Sequence, residues 1–271
     1  MNGTLQKKVC MKKILFMAGA MMITGAASAG LPVKDNFDWG PGVNGRISIT
    51  DGQSVNGQIT PAGGAVWKVD VGTSVFKKTV GSGGTLAVSG SNNRTGFDCA
   101  VDGNITASME YVYQTINTAY TPGVWLGFTA DSTKFLSNDT AEKIYVRINP
   151  AARKMSAGVT TLTGTNVIDH FNKMAALAVA EGDRLVMTLH VDMAAKSAAA
   201  RVKNITQGVE NSVEFSWTGG SGNWSYLMIN ETANQTIIID SISVRSEPGT
   251  VVGMLTPDAQ IMSLLRRHVC L

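Results

Sequence analysis

Twenty acidic side chains, three histidines and five tryptophans are the groups that could do chemistry here, and their spacing separates the possible uses. Cleaving a glycosidic bond takes two carboxylates on one strand face, about 5–5.5 Å apart when one of them is the nucleophile. A Glu-x-Asp-x-x-Glu cluster would supply such a pair. Instead Glu110 stands alone in ASMEYVYQT and Glu214 stands alone in VEFSWTG. Glu110, beside Tyr111 and Tyr113, is a candidate cleft acid, and it reads more simply as part of a solvated strand face. Eliminating across a uronate would need a His or Tyr base. His190, in VMTLHVDM among Met187, Leu189 and Val191, is a candidate base and equally a structural histidine. There is no His-x-x-x-His and no Gly-x-Ser-x-Gly. GSGG at 81–84 leads into a strand rather than a helix, so it marks a turn and not a phosphate cradle.

The aromatic residues offer a different chemistry, because the CH face of a pyranose stacks on an indole or phenol ring. Trp39, Trp67, Trp125, Trp217, Trp224 and Tyr226 are the large rings available. Trp67, in AVWKVDV, alternates with apolar neighbours and is expected in the core. Trp224, in TGGSGNWSY beside Gly219, Gly220 and Gly222, is the candidate for an exposed loop platform, followed by Tyr226. Trp125, after YTPGV, suits either a core or a ligand-facing position. The partner these residues would fit is a polysaccharide or surface glycan.

The elements that must position these side chains are strands. From 30 to 245 about a dozen runs, among them AVWKVDV, ITASMEYVYQT, GVWLGFTA, KIYVRINP, DRLVMTLHVDM and QTIIIDSISV, alternate apolar with polar residues or are rich in β-branched and aromatic types. Turn clusters such as VGSGG, GSNNRTG and TGGSGN separate them. One helix is expected over VIDHFNKMAALAVAEG (167–182), where Ile168, Phe171, Met174, Leu177 and Ala178 fall at helical spacing, although ALAVA also serves as a buried strand. Strands every 8–15 residues without a βαβ rhythm predict an all-β antiparallel sandwich or jelly roll, arranged as one domain over 30–245.

Both ends of the sequence read as addresses rather than fold. Lys12 and Lys13, the apolar stretch Ile14–Thr24 and Ala27-Ser28-Ala29 form a secretory leader over 1–29, too short to span a bilayer. That leader holds four of the 23 basic residues and no acidic one. The remainder therefore has 19 basic against 20 acidic residues, a net charge of −1. Nucleic-acid binding, which needs clustered basic residues, gets no support. Export leaves Cys99 and Cys270, either bridged or with Cys99 free and partly buried.

Two resemblances follow. The opening KDNFDWGPGVNGRISITDGQSVNGQITPAGGAVWKVD has an Asp-x-Phe-Asp start and a Gly-Gly-x-x-Trp segment. With VWLGFTA, IYVRINPAARKMSAG, GDRLVMTLHVDMAAKSAAARV and IIIDSISV in that order, it resembles exported bacterial concanavalin-like (LamG-like) jelly rolls over about 35–244. The resemblance implies a sandwich whose last strand pairs beside the first. It also implies calcium, with Asp240 the ligand and Asp35 or Asp38 approaching it. Lectins, glycosidases, lyases and adhesive modules all share that fold, so function stays open among a non-catalytic glycan-binding or matrix module, a polysaccharide-cleaving enzyme and a self-assembling surface protein. Glu247-Pro248 and the apolar run ending in Leu264-Leu265-Arg266-Arg267 resemble a PEP-CTERM sorting tail over 246–271. Ser246 stands where the first Pro belongs, and Pro257, Asp258 and Gln260 break the membrane segment, so no stable transmembrane anchor is expected.

Overall fold

A computed structural model describes residues 31–38, 50–78, 84–99, 101, 103–117, 123–133, 141–163 and 166–246, with 77–78, 162–163 and 166–172 described by backbone alone. The leader, Trp39, Cys270, the sorting motif Glu247-Pro248 and the rest of the tail lie outside them.

Among the described residues every regular element is a strand: β1 Val33–Asp35, β2 Trp67–Lys78, β3 Gly84–Asp98, β4 Asn104–Thr115, β5 Gly123–Thr129, β6 Lys143–Asn149, β7 Lys154–Thr163, β8 Asn166–Ala176, β9 Arg184–Asp192, β10 Ser197–Asn204, β11 Val209–Ser216 and β12 Tyr226–Ser246. All pairings are antiparallel, in the order β11-β10-β9-β4-β12-β5-β6-β7-β8, with β3 and β1 also on β12 and β2 on β3. The first strand does pair beside the last, Val33 opposite Val244 and Asp35 opposite Ile242. Together these pairings form an antiparallel jelly-roll sandwich.

The 21-residue β12 belongs to both layers. Its first half pairs with β3 and β5, its second half with β3, β4 and β1. The turn from one layer to the other is made in three strands at one place. Gly72 (φ 85°) bends β2, Gly90 (φ 141°) bends β3, and Ala233 (φ 72°) with Asn234 (φ 56°) bends β12. Register shifts fall at the same points. Left-handed backbone costs an L-residue about 1–2 kcal/mol, and Gly72 cannot grow a side chain, since a Cβ there would lie 2.9 Å from the Cα of Asn93. Bulges leave ladder groups unpaired, and here side chains satisfy them. Asn93 Nδ2 donates to the carbonyls of Thr73 (2.8 Å) and Ser89 (3.1 Å), while Glu231 Oε1 accepts from the N–H of Gln235 (2.8 Å) across the β12 bulge.

Between the layers lies one large apolar core. Phe37, Trp67, Phe76 and Phe97 form its aromatic end, with Trp67 edge-on to Phe97 at 5.0 Å. Trp67 is fully buried, as its apolar neighbours predict. Cys99 is free and buried rather than half of a bridge, and burial pushes its thiol up to about 12.

The expected helix over 167–182 is not formed. Residues 166–176 make β8, paired along the whole of β7, and 177–180 are irregular. The register shift opposite Val159 and Thr160 leaves His170 as an extra residue. A bulge moves a two-residue alternation by one step, so Ile168 and Phe171 sit three apart. That spacing fits a helix, and it equally fits a bulged strand. Among the described residues no helix is long and apolar enough to cross a membrane.

Candidate functional site

The alternation in KIYVRIN fixes which side chains of β6 face outward. Ile144, Val146 and Ile148 enter the core, so Tyr145 and Arg147 stand on the outer face of the layer formed by the first half of β12 and by β5–β8. Trp125 and Gly127 on β5, and Tyr226 and Met228 on β12, share that face. Two of the three rings singled out in the sequence, Trp125 and Tyr226, are therefore brought together. They join Tyr145 and Met228 in an apolar cluster separate from the main core, in which Trp125, Tyr145 and Met228 are buried and Tyr226 is half-buried. Trp125 and Tyr145 lie 4.7 Å apart with their planes at 48°.

Glycines make this close packing possible. A Cβ at Gly127 would come within 2.1 Å of the Ile144 carbonyl oxygen, so only glycine lets β5 and β6 approach there. A Cβ at Gly96 would stand 2.7 Å from the sulfur of Met228 and 2.0 Å from the Leu227 carbonyl oxygen. Cations cap the rings: Lys68 Nζ sits 4.6 Å from the centre of Tyr226, and the Arg147 guanidinium carbon 4.8 Å from the centre of Trp125. Lys68 is paired with Asp98 and Arg94 with Asp70, both at 2.7 Å, so these carboxylates of the face are neutralised. Burial lowers the pKa of Arg147. Sequence reasoning overlooked Tyr145 and Arg147, although the strict alternation through Lys143, Tyr145 and Arg147 was the signal that could have found them.

Trp224 is corrected to a core residue. It is 2% exposed, 5.6 Å from Trp217 in the main core. The glycine-rich loop before it is not a free platform. Its Ser221 N–H and hydroxyl donate to the buried carboxylate of Glu142, at 3.0 Å and 2.6 Å. That anchor turns the indole inward.

The catalytic candidates stand on the opposite layer. Glu110 faces outward and is held by Arg184 Nε at 2.5 Å; the same guanidinium binds Asp240 at 2.7 Å. His190 Nδ1 lies 2.8 Å from Thr106 Oγ1, beside an open pocket of about 350 Å³ bounded also by Ala199 and Glu214. His190 pairs opposite Thr106, four residues from Glu110 along β4. At about 3.4 Å per residue the two are roughly 14 Å apart. Glu110 and Asp240 are therefore bridged by one guanidinium, and His190 stands apart from both.

The proposed calcium ligands do not assemble. Asp35 is fully buried, accepting from Trp67 Nε1 at 2.9 Å and from the N–H of Phe37 at 2.8 Å. Asp240 is spent on Arg184 at the surface, and Asp38 is hydrogen-bonded to Asn36. Pairing of first and last strands aligns the backbones but sends Asp35 and Asp240 to different faces. Among the described residues no three His, Cys, Asp or Glu side chains gather where they could hold a metal ion.

One further carboxylate is out of the ordinary. Glu231 is fully buried at the inter-layer bend near Tyr113 and Gln235, and its Oε2 has no hydrogen-bond partner. Desolvation raises its pKa to about 7 against the pull of the Gln235 hydrogen bond.

No family model matches the sequence, and no curated protein matches it either. Solved structures do match in fold. Lectin II from Ulex europaeus overlays with a TM-score of 0.52 at 12% identity, covering 82% of this chain and all of the lectin. The lectin UEA-II complexed with galactose gives 0.51 at 11% identity over the same shares. At such identities the likeness establishes a lectin-like jelly roll and nothing finer.

Proposed function

We propose that the protein is an exported, non-catalytic jelly-roll module that binds glycans at the cell surface or in the extracellular matrix, through the outer face that carries Trp125, Tyr145 and Tyr226. The observation that carries this reading is the half-exposed Tyr226 ring on that face, backed by the buried Trp125, Tyr145 and Met228, capped by Lys68 and set beside neutralised carboxylates. The Tyr226 ring offers an apolar face and a polar tip to the CH groups and hydroxyls of a sugar, and the carboxylates beside it are held in ion pairs. The proteins that share the fold include lectins, among them one complexed with galactose. The N-terminal leader pattern supports export, with a mature chain beginning at Gly30.

The test is a glycan array with a reducing-end assay on every hit. Binding without turnover is expected, and Tyr226→Ala and Trp125→Ala should each weaken it at least tenfold while Glu110→Gln and His190→Ala leave it unchanged. Release of reducing ends that disappears in Glu110→Gln or His190→Ala would replace this reading with a polysaccharide-cleaving enzyme.

A further inference from the structure

On this same face Arg147 is a cation in want of an anion. It is half-buried, its Nε is shut off from water without an acceptor, and it makes no ion pair among the described residues. Desolvating a guanidinium is costly unless an opposite charge repays it, and such groups are ordinarily paired. The neighbouring cations are treated differently: Lys68 and Arg94 each have an aspartate at 2.7 Å. The side chain is nevertheless held in place. It lies on the Trp125 ring, and the absent side chain of Gly123 gives it room, since a Cβ there would stand 2.7 Å from Nε and 3.1 Å from the Trp125 indole nitrogen. A flat guanidinium fixed on an aromatic plane, with its charge uncompensated, matches a planar carboxylate by a two-pronged hydrogen bond better than it matches any neutral hydroxyl.

We infer that the saccharide taken by this face is acidic, and that a uronate carboxylate seats against Arg147 beside the Trp125 ring. The inference rests on the glycan-binding reading and narrows it to a ligand class. The neutral parts of the sugar lie toward the half-exposed Tyr226 ring, while the acid supplies the charge that the chain does not place beside Arg147.

The experiment compares matched ligands, an oligogalacturonate and its methyl ester, by calorimetry with the whole mature protein at two salt concentrations. Wild type should bind the free acid about tenfold or more tighter than the ester, since a charge-assisted pair is worth at least that much, and the preference should shrink as salt rises. Arg147→Gln should abolish the preference and keep the affinity for the ester. Gly123→Ala retains the charge but displaces the guanidinium, and should lose most of the preference as well; thermal melts establish that both variants fold. A wild-type protein that binds acid and ester equally overturns this inference and leaves glycan binding standing. A preference that survives Arg147→Gln overturns the assignment to Arg147, dextran sulfate competing as well as the uronate replaces carboxylate recognition with general polyanion binding, and absence of binding to both ligands overturns the inference while the glycan array decides the reading beneath it.

Discussion

Glu231 brings a titration into the neutral range from inside the protein. Its carboxyl is raised to about 7 in the folded state, chiefly by burial, against 4.5 for the ordinary group. A group raised on folding binds its proton more tightly when folded. Its stabilising contribution is therefore complete below about pH 4.5 and is lost as pH climbs through 7. The melting temperature should fall between pH 5 and pH 8, and Glu231→Gln, which keeps an acceptor for the Gln235 N–H and has no charge to bury, should flatten that slope. A wild-type melting temperature constant over this range would mean that the carboxyl titrates normally and that water reaches it. Neighbouring Tyr111 and Tyr113 are raised by burial too and stay neutral throughout. At the surface the balance differs. Arg184, shared by Glu110 and Asp240, is largely exposed, and exposed ion pairs contribute about 0–1 kcal/mol, so Arg184→Ala costs little.

At the scale of elements, β12 holds two left-handed residues in its interior, and one of them, Ala233, has no side chain that favours that backbone. Ala233→Gly should raise stability by about 0.5–1 kcal/mol: it relieves the steric cost and gives back part of the gain through the freer unfolded chain. Chemical denaturation measures this, and a loss of stability would show that the Ala233 methyl packs more favourably than its backbone strains. The strands themselves were legible in the sequence because alternation records which face is buried; KIYVRIN and IIIDSISV are plain examples. The bends were not legible, since Ala233–Asn234 carries no glycine signal and the bulge opposite β7 imitates a helical spacing at Ile168 and Phe171. Trp224 was misread for a different reason. What pulls it inward is Glu142 gripping Ser221, a contact between residues 79 apart in sequence, and local composition holds no trace of it. The aromatic face was half legible: Trp125 and Tyr226 were candidates, but only the register of β5, β6 and β12 sets Tyr145 and Arg147 beside them.

In the whole molecule the two layers stand or fall together, because β12 supplies a strand to each. Removing one layer would strip the other of a central pairing partner. Urea unfolding followed by far-UV circular dichroism and by tryptophan emission should therefore give coincident transitions, since Trp67, Trp125, Trp217 and Trp224 report from strands and loops across both layers. Two separated transitions would show that the layers are independent. Folding should be slow, as pairings such as Val33 with Val244 close most of the chain into one loop. That arrangement has a consequence for the order in which the chain is made. Among the described strands, the one on which both sheets close is the last to be synthesised, so neither sheet is complete until Ser246 has been added. Hairpins such as β5–β6, β6–β7 and β9–β10 can pair before it, but the sandwich shuts only when that strand is laid between them.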